Sequence, residues 1–214
     1  MFHSIPSILL ATLAAALLHT GIVFAQAGYP VQPVKFIVPY PPGGLPDVVI
    51  RQVGIRLGDK LGQSIVVDNR TGAGGVSAAQ ALLSSPADGY SFIFSDAAML
   101  SIAPLMMKSM PYDPHKDFVP VSYTARAPNF VAVHPSVHAT TMQEFIALAR
   151  SKPGSLTCGS SGVGSLHHLT LEWMKRSLAI NVVHVPFKGS GQSVPALLGG
   201  QVDCLLASLA PLAG

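Results

Sequence analysis

The chain has 214 residues, 49% of them hydrophobic and 11% charged, with a formal net charge of +3. That composition excludes a disordered or coiled-coil protein, and the 20 glycines and 18 prolines fall between apolar runs as loop punctuation. The thirteen basic residues are spread singly, Lys175 and Arg176 being the only adjacent pair, so the charge stripe of a phosphate-backbone binder is missing and nucleic acid is not expected as a partner.

Residues 5–18 are largely apolar, interrupted only by Pro6, Ser7 and Thr12, and small residues follow at Ala25 and Ala27. This pattern predicts an export signal peptide over residues 1–25, cleaved near Ala25 or Ala27. The unbroken apolar stretch is short of the ~20 residues that a membrane-spanning helix needs.

The mature chain alternates strand-like and helical runs. Residues 34–38 form a β-branched run closed by prolines, a buried strand. Asp47 is placed to cap a helix whose apolar residues Ile50, Val53, Leu57 and Leu61 recur at spacings of three and four, and Gly62 ends it. A strand at 65–67, a helix at 76–83 and a strand at 91–94 follow. After a Pro-rich connection, residues 130–133 read as a strand. Thr141 and Glu144 have the spacing of a capping box opening a helix to about Ser151. Strands at 156–158, 182–185 and 202–206 then alternate with a helix at 166–178 and a shorter one ending at Gly199 and Gly200. Such alternation predicts α/β architecture with parallel sheets, divided near residues 120–129.

Three glycine-rich loops follow strands and precede helices: Pro41-Pro42-Gly43-Gly44, Gly72-Ala73-Gly74-Gly75 and Ser160-Ser161-Gly162-Val163-Gly164-Ser165. In parallel α/β sheets such loops converge beyond the carboxyl ends of the strands, and the open N–H groups of helix starts favour an anion such as a carboxylate. Lys188, in another strand-to-helix loop, adds positive potential to the rim of such a site. Gly72-x-Gly74 lacks the third glycine of a dinucleotide fingerprint, Ser77 standing in its place. No cofactor is expected. Pro135 bars the helix that would align His134 and His138 as metal ligands, and no metal site is expected. The nucleophile-elbow spacing is absent around Ser160 and Ser161. Adjacent on a helix, His167 and His168 point about 100° apart and cannot both face one serine. A hydrolase using Ser161 or Ser165 with His168 is the alternative from another class; a sensor on the same scaffold is a third. Cys158 and Cys204 each lie in or at the end of an apolar run and are expected to be buried free thiols.

Taken together, these motifs resemble the receptor family of tripartite tricarboxylate transporters, also called the Bug family. The resemblance rests on Val38-Pro39-Tyr40-Pro41-Pro42-Gly43-Gly44 with Asp47 and Arg51, and on Val67-Asp68-Asn69-Arg70-Thr71-Gly72-Ala73-Gly74-Gly75. Pro86-Ala87-Asp88-Gly89-Tyr90, Tyr112-Asp113-Pro114, Val185-Pro186-Phe187-Lys188-Gly189 and Leu197-Leu198-Gly199-Gly200-Gln201-Val202 extend it in order. It implies a type II periplasmic-binding-protein fold, two parallel-sheet lobes joined by a hinge, with lobe 1 at 26–127 and lobe 2 at 128–214. It further implies a non-enzymatic, monomeric, periplasmic receptor for a small organic carboxylate (a di- or tricarboxylate, an acidic amino acid or an aromatic acid), serving membrane transport subunits. By position, Tyr40, Gly43, Gly44 and Asp47 would form the first wall of the site. Gly74, Gly75, Asp96 and Ala97 would extend it, facing Ser161, Gly164, Ser165, His168 and Lys188.

The sequence departs from the family pattern at Leu45-Pro46, where a small residue and threonine are usual, and at Ala103 and Ala196, where asparagine and aspartate are common. Family members also continue past Gly214, so the C-terminal return to lobe 1 is expected to be missing. The corresponding expectation is a truncated chain with impaired ligand binding, which a ligand-dependent thermal shift would contradict.

Overall fold

In the computed structural model, β1 (Val34–Val38) lies at the centre of a three-stranded sheet, its backbone hydrogen-bonded to a neighbour on each edge. It pairs in parallel with β2 (Ile65–Asn69) and β3 (Ser91–Ile93), Val38 opposite Asn69 and Phe36 opposite Phe92. Val34, Ile37 and Val38 are buried, and Phe36 stacks on Phe92 with ring centroids 5.2 Å apart. The structure describes residues 28–208. Residues 1–31 and 32–214 are separate units, and the architecture below belongs to the second. The signal-peptide expectation and its cleavage point fall outside the described residues.

Helix α1 (Leu45–Leu61) begins differently from the sequence expectation. Its N-cap is Gly44, and Asp47 lies inside the first turn with Pro46 just ahead of it. Proline fits there because first-turn N–H groups lack helical acceptors anyway. The capping assignment of Asp47 is therefore corrected. The Asp47 carboxylate instead reaches back to the Gly43 N–H at 2.9 Å, much as the glutamate of a capping box does. At the other end Gly62, in the left-handed conformation, donates its N–H to the Gly58 carbonyl.

Beyond β2, a tight turn at Ala73–Gly75 leads into α2 (Val76–Leu83). A widened helical turn at Ala98–Ile102 runs into the short α3 (Ala103–Met106), an element the periodicity did not reveal. Met99, Val76, Ala79 and Tyr112 pack as one buried cluster, and the Tyr112 hydroxyl donates to the Met99 carbonyl at 2.8 Å.

The second sheet is built from β4 (Asn129–Val133), β5 (Thr157–Ser160), β6 (Val183–Pro186) and β7 (Cys204–Ser208), in the order β4-β7-β5-β6. Between them lie α4 (Met142–Ser151), α5 (Leu166–Ser177) and α6 (Ser190–Leu198). Strands β5, β6 and β7 are parallel, whereas β4 runs antiparallel to β7, a departure from the all-parallel expectation. Helix α4 joins β4 to β5 within this sheet, yet the two strands run in opposite directions, so strand–helix alternation alone does not fix the direction of β4. The expected capping box is present: Glu144 N–H donates to Thr141 Oγ1, and Thr141 N–H to Glu144 Oε2, each at 3.2 Å.

The cysteine expectation is overturned. Cys158 of β5 and Cys204 of β7 sit directly opposite one another in the register, Cα atoms 4.5 Å apart, and form a disulfide. Cross-strand pairing brings them within bridging distance, which separate apolar runs in the sequence do not reveal. Around the bridge, Phe145, Ala149, Leu171, Val182 and Leu206 make the main core of this half. Among the described residues, no helix is long and apolar enough to cross a membrane.

Candidate functional site

Every glycine-rich loop singled out in the sequence leaves the carboxyl end of a strand: 39–44 after β1, 70–75 after β2, 161–165 after β5 and 187–189 after β6. They meet at one cleft of about 940 Å³, lined from both sheets and from the segment 98–107. Gly75 and Gly189 show why glycine is required. Gly75, at φ +98°, would place a Cβ 2.6 Å from Met99 Cγ, and Gly189, at φ +106°, would place one 3.2 Å from Pro41 of the opposite half. The beginnings of α2 and α6 thus reach the cleft as bare backbone, and that of α5 reaches it at Ser165. A second depression, of about 800 Å³ between α1 and β2, includes Gly62 and Gln63. It adjoins the carbonyl end of α1, where the helix dipole disfavours anions.

On the first wall, the Tyr40 hydroxyl donates to Asp96 Oδ1 at 2.8 Å, and the Ala98 N–H donates to the same oxygen at 3.0 Å. Burial, followed by the adjacent Asp96 charge and hydrogen bond, pushes the Tyr40 phenol far above its ordinary value. Beneath this pair lies Asp47, 2% exposed, which accepts from Gly43 N–H, Arg51 Nε and Asn69 Nδ2 at 2.9–3.0 Å. Burial raises its carboxyl, but these donors and the Arg51 charge outweigh burial and hold it below the usual carboxylate range. Asn69 also donates to the Tyr40 carbonyl at 2.9 Å, tying the ends of β1 and β2 together.

Across the cleft, Ser161 Oγ meets His167 Nδ1 at 2.7 Å, and Ser160 Oγ meets His184 Nε2 at 2.7 Å. His168 Nδ1 accepts the Gly164 N–H at 3.2 Å, while Ser165 caps α5 by accepting the His168 N–H. The hydrolase pairing of His168 with Ser161 or Ser165 is therefore not formed through its imidazole; each histidine instead fixes the shape of the loop. Burial lowers the His167 imidazole below its ordinary value, with Asp96 opposing. His184 is lowered by burial and then by the His168 ring, stacked 4.2 Å away.

Of the residues marked in the sequence, Tyr40, Gly74 and Gly75 line the cleft from one side, and Ser161, Gly164, Ser165 and Lys188 from the other. Gly43, Gly44, Asp47, Asp96, Ala97 and His168 are not part of that lining, and Gly43 and Ala97 are exposed to solvent elsewhere. The sequence reasoning missed Thr71, Gln192 and the methionines Met99, Met106 and Met107. Thr71 sits inside a quoted motif and could have been found. The methionines sit on an irregular segment with no periodic signal.

Two α/β sheets offering strand-end loops to a shared cleft define the class of periplasmic binding proteins. The chain aligns with the solved structure of the periplasmic binding protein BugD at 27% identity and a TM-score of 0.78, covering 85% of this chain and 60% of that one. With R. palustris Rpa4515, solved with adipate, identity is 36% and the TM-score 0.81, over 85% and 60% of the two chains. The TctC family model, described as the tripartite tricarboxylate transporter family receptor, matches residues 49–213, and the chain belongs to that family. Protein BugT of Bordetella pertussis (strain Tohama I) is 38% identical over 192 residues, which is 85% of this chain and 59% of BugT. The chain thus spans about three fifths of that relative's length.

Proposed function

We propose that this chain is a periplasmic solute-binding receptor, not an enzyme, that captures a small organic carboxylate and hands it to the membrane subunits of a tripartite tricarboxylate-type transporter. The observation carrying this reading is the convergence of three helix beginnings and Lys188 on one cleft. Unpaired first-turn N–H groups and a single ammonium suit an anion, and bridging waters extend their reach at little cost. The adipate held by Rpa4515 supports the ligand class. Export through a signal peptide cleaved near Ala25 or Ala27 and a monomeric state belong to the same proposal. So does a lobe boundary at residues 127/128, about which the lobes close when ligand contacts favour the closed form.

The proposed ligand contacts are Tyr40, Gly74, Gly75, Ser161, Gly164, Ser165 and Lys188. Gly43, Gly44, Asp47, Asp96, Ala97 and His168 would hold them in place. Titration calorimetry and thermal shift with adipate, succinate, citrate, glutamate and phenylacetate test the reading. Against the expectation of impaired binding, saturable, stoichiometric binding of one of these acids without turnover is expected, because residues 39–192 already bring the loops to one cleft. No binding by any of them, or turnover abolished in Ser161→Ala, would overturn it.

A further inference from the structure

Resting on the carboxylate reading, we infer that His167 is a positioning residue that couples anion capture to proton uptake, its protonated ring turning the Ser161 hydroxyl towards the cleft as a donor. Ser161 lines the cleft, and its Oγ lies 2.7 Å from His167 Nδ1. Its other hydroxyl neighbour, Ser190 Oγ, stands at 3.5 Å, beyond the range of a good O–H···O bond. His167 is the second residue of α5 and does not itself line the cleft, so it acts on a bound acid through Ser161.

The direction of that contact follows from the charge on the ring. A neutral imidazole keeps one nitrogen as an acceptor. It can take the Ser161 proton at Nδ1, which leaves oxygen lone pairs facing the cleft, and these repel a carboxylate. A protonated imidazole donates from both nitrogens. Nδ1 then donates to Ser161 Oγ, and the serine proton has the cleft as its remaining direction. There it joins the N–H groups of the helix beginnings as a donor to an anion.

The groups around the ring set the sign of the linkage. Asp96, from the loop after β3, is a negative charge acting on His167 from the facing half, and Lys188 reaches the same cleft from the loop after β6. Tyr40 keeps its proton beside Asp96. On α5 itself, His168 accepts from the Gly164 N–H and stacks on His184, while Glu172 and Lys175 act on His184. Burial holds the His167 ring below its ordinary value against the pull of Asp96. A carboxylate in the cleft acts in the same sense as Asp96, so its binding raises that value and draws a proton from solvent. By linkage, affinity rises as pH falls through the bound value and levels off below the free one.

The test is titration calorimetry of the 214-residue chain with adipate, succinate, citrate, glutamate and phenylacetate, at several pH values and in buffers of differing ionisation enthalpy. The tightest-binding acid is then compared in His167→Asn, whose amide occupies the Nδ1 position and cannot titrate, and in Ser161→Ala. Melting temperatures check that both variants fold, and the parent's own profile and proton count decide the matter should either fail. After correction for the acid's own ionisation, the parent Kd is expected to fall about fivefold between about pH 8 and about pH 6, with net proton uptake. His167→Asn is expected to bind with a profile flat to within about twofold. Ser161→Ala is expected to bind more weakly at the acid end and to lose most of the profile. A parent profile no steeper than that of His167→Asn, or binding without proton uptake, would overturn the inference while leaving the carboxylate receptor standing. A Ser161→Ala profile as steep as the parent's would overturn the transmission through that hydroxyl. Binding of none of these acids would take the receptor reading and the inference down together.

Discussion

The hydroxyl of Tyr40 and the carboxylate of Asp96, 56 residues apart in sequence, meet at 2.8 Å and lock the loop after β1 to the loop after β3. Replacing Tyr40 with phenylalanine removes the donor and leaves Asp96 with only the Ala98 N–H. We expect Tyr40→Phe to lower unfolding stability by about 1 kcal/mol, measured in urea. The fold holds the proton on Tyr40 while the unfolded chain releases it near 10.0. This contribution is present below pH 10 and is lost as pH rises above it. The ultraviolet phenolate band of the parent should therefore contain a late step that Tyr40→Phe lacks.

Asp47 is a structural carboxylate under the first wall of the cleft. In Asp47→Asn, one oxygen becomes a donor facing Gly43 N–H, Arg51 or Asn69, leaving a buried donor unsatisfied at a cost of about 2 kcal/mol. Because its folded value lies below the ordinary 3.8, the carboxylate stabilises the protein above that pH. The contribution fades as pH falls below 3.8 and is gone once pH has passed the lower folded value. Urea titrations at several acid pH values should show the parent's slope there flattened in Asp47→Asn.

The Cys158–Cys204 bridge closes a loop of 46 residues. Chain-entropy reasoning gives a stabilisation of about 4 kcal/mol for a loop of that size. The Cys158→Ala/Cys204→Ala double variant, or the parent in reductant, should unfold at correspondingly lower urea. Equal midpoints with and without reductant would show that the bridge contributes nothing.

His167 and His184 both have folded values below the ordinary 6.5. As pH falls through 6.5, the unfolded chain takes up protons before the fold does, so stability present above 6.5 is lost on acidification towards the lower folded values. Imidazole proton resonances, assigned with His167→Gln and His184→Gln, should titrate with midpoints below 6.5. Midpoints above that value would contradict the burial described for both rings.

Much of the scaffold was legible because local chemistry and tertiary context agree. The capping box at Thr141 and Glu144, the glycine stop at Gly62 and the β-branched run at Val34–Val38 all state their roles within a few residues. The meeting of the glycine loops at one cleft was legible because each follows a strand end. What escaped depends on partners distant in sequence. The direction of β4 is set by β7, the disulfide by the β5–β7 register, and the buried role of Asp47 by Asn69. The cleft-lining methionines escaped for a different reason. Met99 and Met106 occupy a widened turn and a four-residue helix, too short and irregular to imprint a period.

The position of β7 also has a consequence for the order of assembly during synthesis. All five of its residues are buried, and it stands between β4 and β5, with Ser208 meeting Asn129 across 79 residues. A nascent chain can pair β5 with β6 early, but β4 has no companion until residue 208 has emerged. Closing β4 against β7 is therefore a late, long-range step of assembly, slower than the local pairing of β5 with β6.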